Sequence, residues 1–430
     1  MNSPSKPVFA LVDCNNFYAS CEKLFRPDLR HTPVVVLSNN DGCVVARCGL
    51  AKSLGIKMGA PYFKAKQELA SLGVVVFSSN YPLYGDISNR VMTVLEQMAF
   101  RVERYSIDEA FLDLTGMEQL GELSDFGFRV RGRVQQWTGI TTCVGIAPTK
   151  TLAKLANAGA KQYPATGGVV DLTESERQRR LMALMPVGEV WGVGRRNEEK
   201  LLSMGIHTAL QLAQASPKEI RSRFSVVLER TLCELNGESC LELEEVEPAR
   251  QQIVCGRSFG DRVVQLSRMR EIISKYIGRA VEKLRLENQT AQNLSIAIRT
   301  SGFNPSEAEY SNSISSRLVT PTNDTRCFTA LAMELLDNIW RDGYRYAKAE
   351  VMLSEFLPAG AVGSMQGDLF AAPDNTQRQI ELMKVVDQIN ASGKGRIFLA
   401  RQGMQAEWGM RQNYLSPAYT TRWDELPVVT

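Results

Sequence analysis

Two acidic interruptions of apolar β segments constrain this chain more than any other feature. Val8-Phe9-Ala10-Leu11-Val12 runs into Asp13, and Asp108-Glu109 stands between Val102–Ile107 and Ala110–Leu114. A carboxylate at the end of a buried strand points into whatever lies beyond the sheet, and adjacent strand residues face opposite ways. Asp108 and Glu109 can serve one site if they lie at a hairpin tip, or if the longer Glu reaches round. Three carboxylates so placed repel one another unless cations sit between them. Hard oxygen ligands of this kind suit Mg2+. Two such ions side by side are a known device for in-line phosphoryl displacement. Strand-end Asp and hairpin Asp-Glu are also ordinary turn formers, so spacing alone leaves a solvated turn open.

Composition narrows the chemistry. The 430 residues suit two to four domains. With 44% hydrophobic and 23% charged residues the chain is globular rather than disordered or fibrous. No apolar run approaches the roughly 18 residues that cross a bilayer, and Val8–Val12 is too short for a secretory signal. A cytoplasmic protein is expected. The nine cysteines include no CxxC pair, and the only histidines are His31 and His207. A zinc site, a disulfide framework and a histidine-based triad are all poorly supported. An enzyme of this composition works with carboxylates and a metal. The net charge of +3 does not by itself indicate nucleic-acid binding.

Periodicity organises the chain. Residues 1–170 read as mixed α/β, with strands at Val8–Asp13, Val34–Leu37, Val74–Phe77, Val102–Ile107, Ala110–Leu114 and Thr141–Ala147. Helices are expected at Ala46–Leu54 and Ser88–Met98. Gly167-Gly168 reads as a turn into a last strand, Val169–Asp171. Residues 174–245 are helical in pattern. Residues 250–357 return to α/β, with strands at Ile253–Phe259, Leu294–Thr300 and Lys348–Leu353 and helices at Arg268–Glu287 and Thr329–Trp340. The remainder contains one clear helix, Thr376–Asn390.

Three further features suit phosphate. Thr149 caps a helix on which Lys150, Lys154 and Lys161 fall within about 40° of one another, a cationic stripe that could meet a triphosphate or simply face water. Gly192 and Gly194, followed by Arg195 and Arg196, read as a hairpin between two helices. Its backbone N–H groups can take a phosphate oxygen without reading sequence, although a tight packing turn reads the same way. Residues 251–299 carry nine cations and four anions, a local basic surface that fits phosphate contact or a solvated helix face.

Asp13-Cys14-Asn15-Asn16-Phe17-Tyr18-Ala19-Ser20-Cys21-Glu22 and Tyr105-Ser106-Ile107-Asp108-Glu109-Ala110-Phe111 resemble the two metal-binding motifs of Y-family (translesion) DNA polymerases. Val144–Lys154, Ser78–Tyr81 and Thr166–Asp171 resemble further family segments. The likeness runs through the whole chain and is to the UmuC type. It implies a mixed α/β right hand: palm at 1–17 and 84–173, fingers at 18–83, and a helix-hairpin-helix thumb at 174–245. A little finger at 250–357 and a C-terminal docking tail at 358–430 complete it. Asp13, Asp108 and Glu109 match the metal carboxylates, with the Cys14 backbone carbonyl as a further ligand of two Mg2+ ions. Phe17, Tyr18, Lys52 and Lys161 match nucleotide-binding positions for a dNTP, Tyr18 as the steric gate against a ribose 2′-OH. Lys52 stands where many relatives carry Arg, and Gly49 where they often carry Tyr. Gly192, Gly194, Arg195 and Arg257 are expected to contact primer–template DNA. The small residues of Val44–Gly49, beside the nascent pair, suggest a roomy site that checks shape poorly.

Gln366-Gly367-Asp368-Leu369-Phe370 resembles the peptide by which bacterial polymerases bind the β sliding clamp, through Gln366, Leu369 and Phe370. The tail from Pro358 carries seven cations and seven anions, with Trp408, Tyr414, Tyr419 and Trp423. That balance favours a protein partner over DNA. The resemblance implies a processed UmuD-type dimer and a RecA filament as partners. A non-catalytic scaffold and a two-metal nucleotide cyclase are the rival readings. The intact carboxylates argue against the first, and the glycine hairpin and basic stretch against the second.

Overall fold

The first strand of the computed structural model, β1 (Phe9–Cys14), is buried along its whole length, and its alternate side chains feed two different cores. Phe9 and Leu11 pack with Phe111, Leu152 and Leu155, whereas Ala10, Val12 and Cys14 join Leu83, Ile87 and Val130. The structure describes residues 6–119, 121–244, 249–302, 304, 307–359, 376–392, 397–403 and 410–426. The chain divides into two units: Met1–Ser38 with Gly42–Glu247 and Tyr414–Thr430, and Asn39–Asp41 with Pro248–Asn413.

In the first unit β1 is followed by α1 (Phe17–Leu24), β2 (Val34–Leu37), β3 (Val44–Arg47), α2 (Gly49–Ser53), α3 (Tyr62–Ser71), β4 (Val75–Ser78) and α4 (Tyr81–Glu96). Next come β5 (Val102–Arg104), β6 (Glu109–Asp113), α5 (Leu123–Thr138), β7 (Thr142–Ala147), α6 (Lys150–Gln162) and β8 (Val169–Asp171). Five further helices complete the unit before residue 245: α7 (Ser175–Leu184), α8 (Arg195–Ser203), α9 (Ala209–Ala213), α10 (Pro217–Arg223) and α11 (Val226–Leu235). A central five-stranded sheet has the order β5-β6-β1-β7-β8, antiparallel except for the β7–β8 pair. A smaller sheet, β3-β2-β4, holds the segment after α1. The helix expected over Ala46–Leu54 is corrected here. Val44–Arg47 is a strand hydrogen-bonded to β2, and only Gly49–Ser53 is helical. The β-branched Val44-Val45 pair favours the pleated surface.

Two devices fix α6 on the central sheet. Gly145, in β7, lies under the helix. A Cβ there would meet the Ala153 carbonyl oxygen and the Asn157 amide nitrogen. With no side chain between them, α6 backbone packs directly on the strand. Asn157 then donates its side-chain amide to the carbonyls of Cys143 (2.9 Å) and Leu11 (3.4 Å). The N-terminus of α6 is capped as the sequence indicates, Thr149 Oγ1 accepting from Leu152 N–H at 3.2 Å. It is also clasped by buried Glu234 of α11, whose carboxylate accepts from Thr151 N–H and Oγ1 at 2.9 and 2.7 Å. The other Glu234 oxygen takes the N–H groups of Cys240 and Leu241.

The second unit comprises β9 (Gln252–Val263), α12 (Leu266–Leu286), β10 (Gln289–Arg299), β11 (Ser311–Thr322), α13 (Thr325–Ile339) and β12 (Tyr346–Pro358). Its antiparallel sheet runs β11-β10-β12-β9. Leu294, Ile296, Ile298, Val351 and Leu353 on one face meet Met269, Ile273, Ile277 and Leu284 of α12, spaced three and four apart as an amphipathic helix requires. Strand β11 carries no run of large apolar residues, which hid it in the sequence.

The tail is better ordered than its sequence suggests. Helix α14 (Thr376–Ala391) belongs to the second unit, where Arg285 of α12 forks onto Asp387 at 2.6 and 2.7 Å. Residues 414–426 belong to the first unit. The clamp-like peptide Gln366–Phe370, with Leu369, lies outside the described residues, as does Trp408. Among the described residues no helix is long and apolar enough to cross a membrane.

Candidate active site

The antiparallel register places Asp13 of β1 opposite Glu109 of β6, and directly opposed residues share a face of the sheet. That face is the one α6 covers, because Phe9, Leu11 and Phe111 lie on it in step with Asp13 and Glu109. Asp108 is the last residue of the turn between β5 and β6, so the hairpin-tip arrangement holds. Its backbone carbonyl accepts the Cys14 N–H at 2.9 Å, joining the two motifs through the main chain. Ser106 organises the turn: its hydroxyl donates to Asp108 Oδ1 at 2.8 Å and accepts the Glu109 N–H at 3.0 Å.

Two lysines on one face of α6 reach the carboxylates. Lys161 Nζ lies 2.5 Å from Asp13 Oδ2, and Lys154 Nζ lies 2.9 Å from Glu109 Oε2. Lys154 also stands over aromatic rings, 4.1 Å from the Tyr105 centroid and 5.3 Å from that of Trp191. Such rings attract a cation through their quadrupole. Lys150 departs from the expected stripe. It is buried and ion-paired to Glu103, which also accepts the Glu244 N–H at 2.7 Å. One turn of helix sets it over the edge strand β5, with its ammonium 5.1 Å from the Phe111 ring centroid.

Titration follows from this geometry. Burial pushes the Asp13 carboxyl well above the usual carboxylate range, against the pull of Lys161; its hydrogen bond to Glu109 pushes the same way. Burial also works against ionising Glu109, but the hydrogen bonds from Asp13 and Lys154 and the charges of both lysines hold its carboxyl below the usual range. The opposite directions are those of two close carboxylates with little positive charge between them. Among the described residues no three His, Cys, Asp or Glu side chains form a metal-holding group. Asp13 and Glu109 converge, while Asp108 is turned to Ser106. The donor set nevertheless fits hard divalent cations: three carboxylates and a main-chain carbonyl, with Asp13 and Glu109 each held by an ammonium group.

The carboxylate pair opens into a cavity of about 450 Å3 lined by Asp13, Glu109, Lys154, Asn157, Lys161 and Trp191 among others. On another side of Lys161 lies Lys52, on α2. Burial and the nearby positive charges of Arg47 and Lys161 depress its pKa. Arg47, at the end of β3, was not singled out by the sequence. In the sequence it falls inside the expected helix Ala46–Leu54, and its place in this cationic edge comes from β3 pairing with β2.

Tyr18 lies on the first turn of α1, stacked on Tyr84 of α4 with ring centroids 4.5 Å apart and planes at 15°. Burial, Tyr81 and the Asp108 charge all raise its pKa. The Phe17 side chain is 3% exposed and packs in the core with Ala19 and Cys21, which leaves its main chain to face a nucleotide.

Gly192 has φ +90°, a conformation that favours glycine, and Gly194 is the N-cap of α8. The segment before this hairpin is a single 3-10 turn, Val187–Glu189, rather than the expected helix. Arg195 is exposed and pairs with Glu199 at 3.1 Å. Arg257 lies on β9 of the second unit, its guanidinium 3.8 Å from Met410 Sδ. The basic stretch of 251–299 is partly neutralised. Arg262 pairs with Glu307, Arg268 with Glu271, Arg270 with Asp337 and Arg285 with Asp387.

Comparison with known proteins adds to this geometry. Residues 12–158 match the impB/mucB/samB family, residues 250–369 the C-terminal domain of that family, and residues 381–429 a domain of unknown function. The chain is 54% identical over 423 residues to protein UmuC of Salmonella typhimurium strain LT2, covering 97% of this chain and 99% of that one. It is 47% identical to protein MucB of Escherichia coli, covering 98% and 100%. It is 27% identical to DNA polymerase IV of Caulobacter vibrioides, covering 88% and 90%. A solved Y-family DNA polymerase chimera shares the fold, with a TM-score of 0.67 at 21% identity over 81% of this chain and 99% of that one.

Proposed function

The chain belongs to the impB/mucB/samB family, the UmuC-type Y-family DNA polymerases, and on that premise we propose that it extends primers past template lesions by two-metal-ion nucleotidyl transfer. It is a DNA-directed DNA polymerase of the error-prone translesion class. The observation that carries the mechanism is the cross-strand Asp13–Glu109 pair at the mouth of the cavity, with Lys161 and Lys154 against it.

In this reading Asp13, Asp108, Glu109 and the Cys14 carbonyl hold two Mg2+ ions. When bound, such ions ease deprotonation of a primer 3′-OH and neutralise charge on departing pyrophosphate. The chain's own residues do the rest. Lys161, flanked by Lys52 and Arg47, takes the triphosphate of the incoming dNTP. Lys154, held by its aromatic neighbours, keeps Glu109 ionised. Tyr18 excludes a ribose 2′-OH. Catalysis is then mostly positioning and charge neutralisation. Tolerance of damaged bases is supported by the small residues around β3 and α2: a Cβ at Gly49 would have no neighbour within 4 Å.

The central sheet with α4–α6 reads as the palm, β2–β4 with their helices as the fingers, α7–α11 as the thumb and the second unit as the little finger. DNA would meet the Gly192–Gly194 turn, where the N-terminus of α8 and Arg195 offer donors, and Arg257 of the second unit. A processed UmuD-type dimer, a RecA filament and a sliding clamp bound through Gln366, Leu369 and Phe370 complete the proposed assembly.

Single-nucleotide primer extension with Mg2+ tests the reading, wild type against Asp108→Asn, with and without the accessory dimer and RecA filament. Extension opposite an abasic site that vanishes in the variant is the expected result. DNA binding without extension under every condition would overturn it and favour a scaffold.

A further inference from the structure

The sequence leaves residues 414–426 as tail, yet the structure builds them into the first unit beside α1 and α4. Tyr414 and Ser78 exchange two hydrogen bonds, Ser78 N–H to the Tyr414 carbonyl at 2.9 Å and Tyr414 N–H to Ser78 Oγ at 3.0 Å. Tyr62 Oη donates to Tyr414 Oη at 2.9 Å. Tyr419 stacks on Phe25, which follows α1, with centroids 4.7 Å apart. Asn80 is the pivot. Its Oδ1 caps α4 by accepting from Leu83 N–H, while its amide donates to Ser416 Oγ at 2.9 Å and to the Ser416 carbonyl at 3.2 Å.

From Ser416 the contacts run through Asn80, whose carbonyl accepts the Tyr84 N–H at 3.0 Å, to the sugar-facing side. Glu22 of α1 is fully buried. Burial raises its pKa to about 7 against the hydrogen bond of Tyr84, and its Oε2 has no hydrogen-bond partner. Tyr84 Oη donates to Glu22 Oε1 at 2.6 Å, and the Tyr84 ring is the surface on which Tyr18 is stacked. A buried hydroxyl bonded to a fixed partner loses its ring-sliding freedom, and a stacked neighbour loses it too.

We propose that the C-terminal segment around Ser416, acting through Asn80 and through Tyr84, whose hydroxyl Glu22 holds, positions the Tyr18 ring and so sets how strictly the enzyme excludes ribonucleotides. Ser416, Asn80, Glu22 and Tyr84 are positioning residues in this scheme; none touches substrate. The proposal rests on the reading of Tyr18 as the gate.

The test is the ratio of kcat/KM for dATP to that for ATP in single-nucleotide extension opposite thymine, with the full chain and its accessory proteins. Tyr18→Ala checks the gate itself and should collapse the ratio. Ser416→Ala and Tyr84→Phe each remove one hydrogen bond while keeping packing. Each should lower the ratio about three- to tenfold, the worth of one such bond, with kcat for dATP unchanged. Ser416→Thr, which restores the hydroxyl, should restore the ratio. An unchanged ratio in Ser416→Ala and Tyr84→Phe, alongside a collapsed one in Tyr18→Ala, overturns the proposal and leaves the gate standing. An unchanged ratio in Tyr18→Ala overturns the gate reading itself. Loss of dATP turnover and of thermal stability together in Ser416→Ala, not rescued by Thr, would mark the segment as merely structural.

Discussion

Replacing Gly145 by alanine probes the contact on which the whole site depends. An alanine Cβ at this position of β7 would overlap the Ala153 carbonyl oxygen and the Asn157 amide nitrogen, both backbone atoms of α6. Backbone cannot rotate away as a side chain can, so the helix must retreat by about an ångström to restore ordinary contact. Alanine is by itself the better strand residue by roughly 0.5–1 kcal/mol, but overpacking of this kind costs about 1–3 kcal/mol. The net effect is a fall in Tm of about 2–8 °C. The larger consequence is catalytic. Lys154 and Lys161 flank Asn157 on the retreating helix, and their contacts with Glu109 and Asp13 are 2.9 and 2.5 Å long. A misplacement of about 1 Å costs on the order of 100-fold in rate. Thermal unfolding and single-nucleotide kcat/KM read both effects. Gly132→Ala is the control: that glycine is exposed on α5 with no neighbour within 4 Å of a Cβ. It should hold Tm or raise it slightly, through helix propensity. A Gly145→Ala enzyme with unchanged or raised Tm and wild-type turnover would refute the close-packing argument.

Two further substitutions separate structural from catalytic charge. Lys150→Met strands buried Glu103 with only the Glu244 N–H, and breaking such a pair costs about 3–5 kcal/mol. Tm should fall while KM for dNTP holds in the folded fraction. A raised KM with normal Tm would return Lys150 to the triphosphate. Glu22→Gln addresses pH. The folded carboxyl titrates near 7, above its ordinary 4.5, so the folded state binds the proton more tightly. The stability this contributes is present below pH 4.5 and is lost as pH rises to about 7, by roughly 3 kcal/mol in all. Glu22→Gln should flatten that part of the Tm–pH profile. Parallel profiles for the two proteins between pH 4.5 and 7 would show that Glu22 is ionised throughout.

The candidate site was legible because its signals are local. An apolar strand ending in Asp13, a paired acid at a hairpin tip, and lysines recurring at helical spacing after the Thr149 cap need no distant partner to be recognised. Strands at Val34–Leu37 and Val169–Asp171 and helix α14 were placed from periodicity to within a residue. The alternation of side chains across β1 requires that Asp13 and Leu11 share a face. Which of the lysines would reach the acids was not legible. Lys150 and Lys154 differ by one helical turn, and only the approach of α6 over Gly145 and the presence of Glu103 decide that one is buried and the other faces the site. The same holds for the basic run of 251–299, whose charge is partly cancelled by acids as distant in sequence as Asp387. It holds most for the contact of Asn80 with Ser416, made across 336 residues. A polar segment such as 414–426 carries no periodic signature of burial, because what it buries against is specified elsewhere in the chain. Local chemistry in the sequence thus determined the strands, the caps and the carboxylates. Long-range packing decided which charges are left to act, since a charge acts on a substrate only if no buried partner has already taken it.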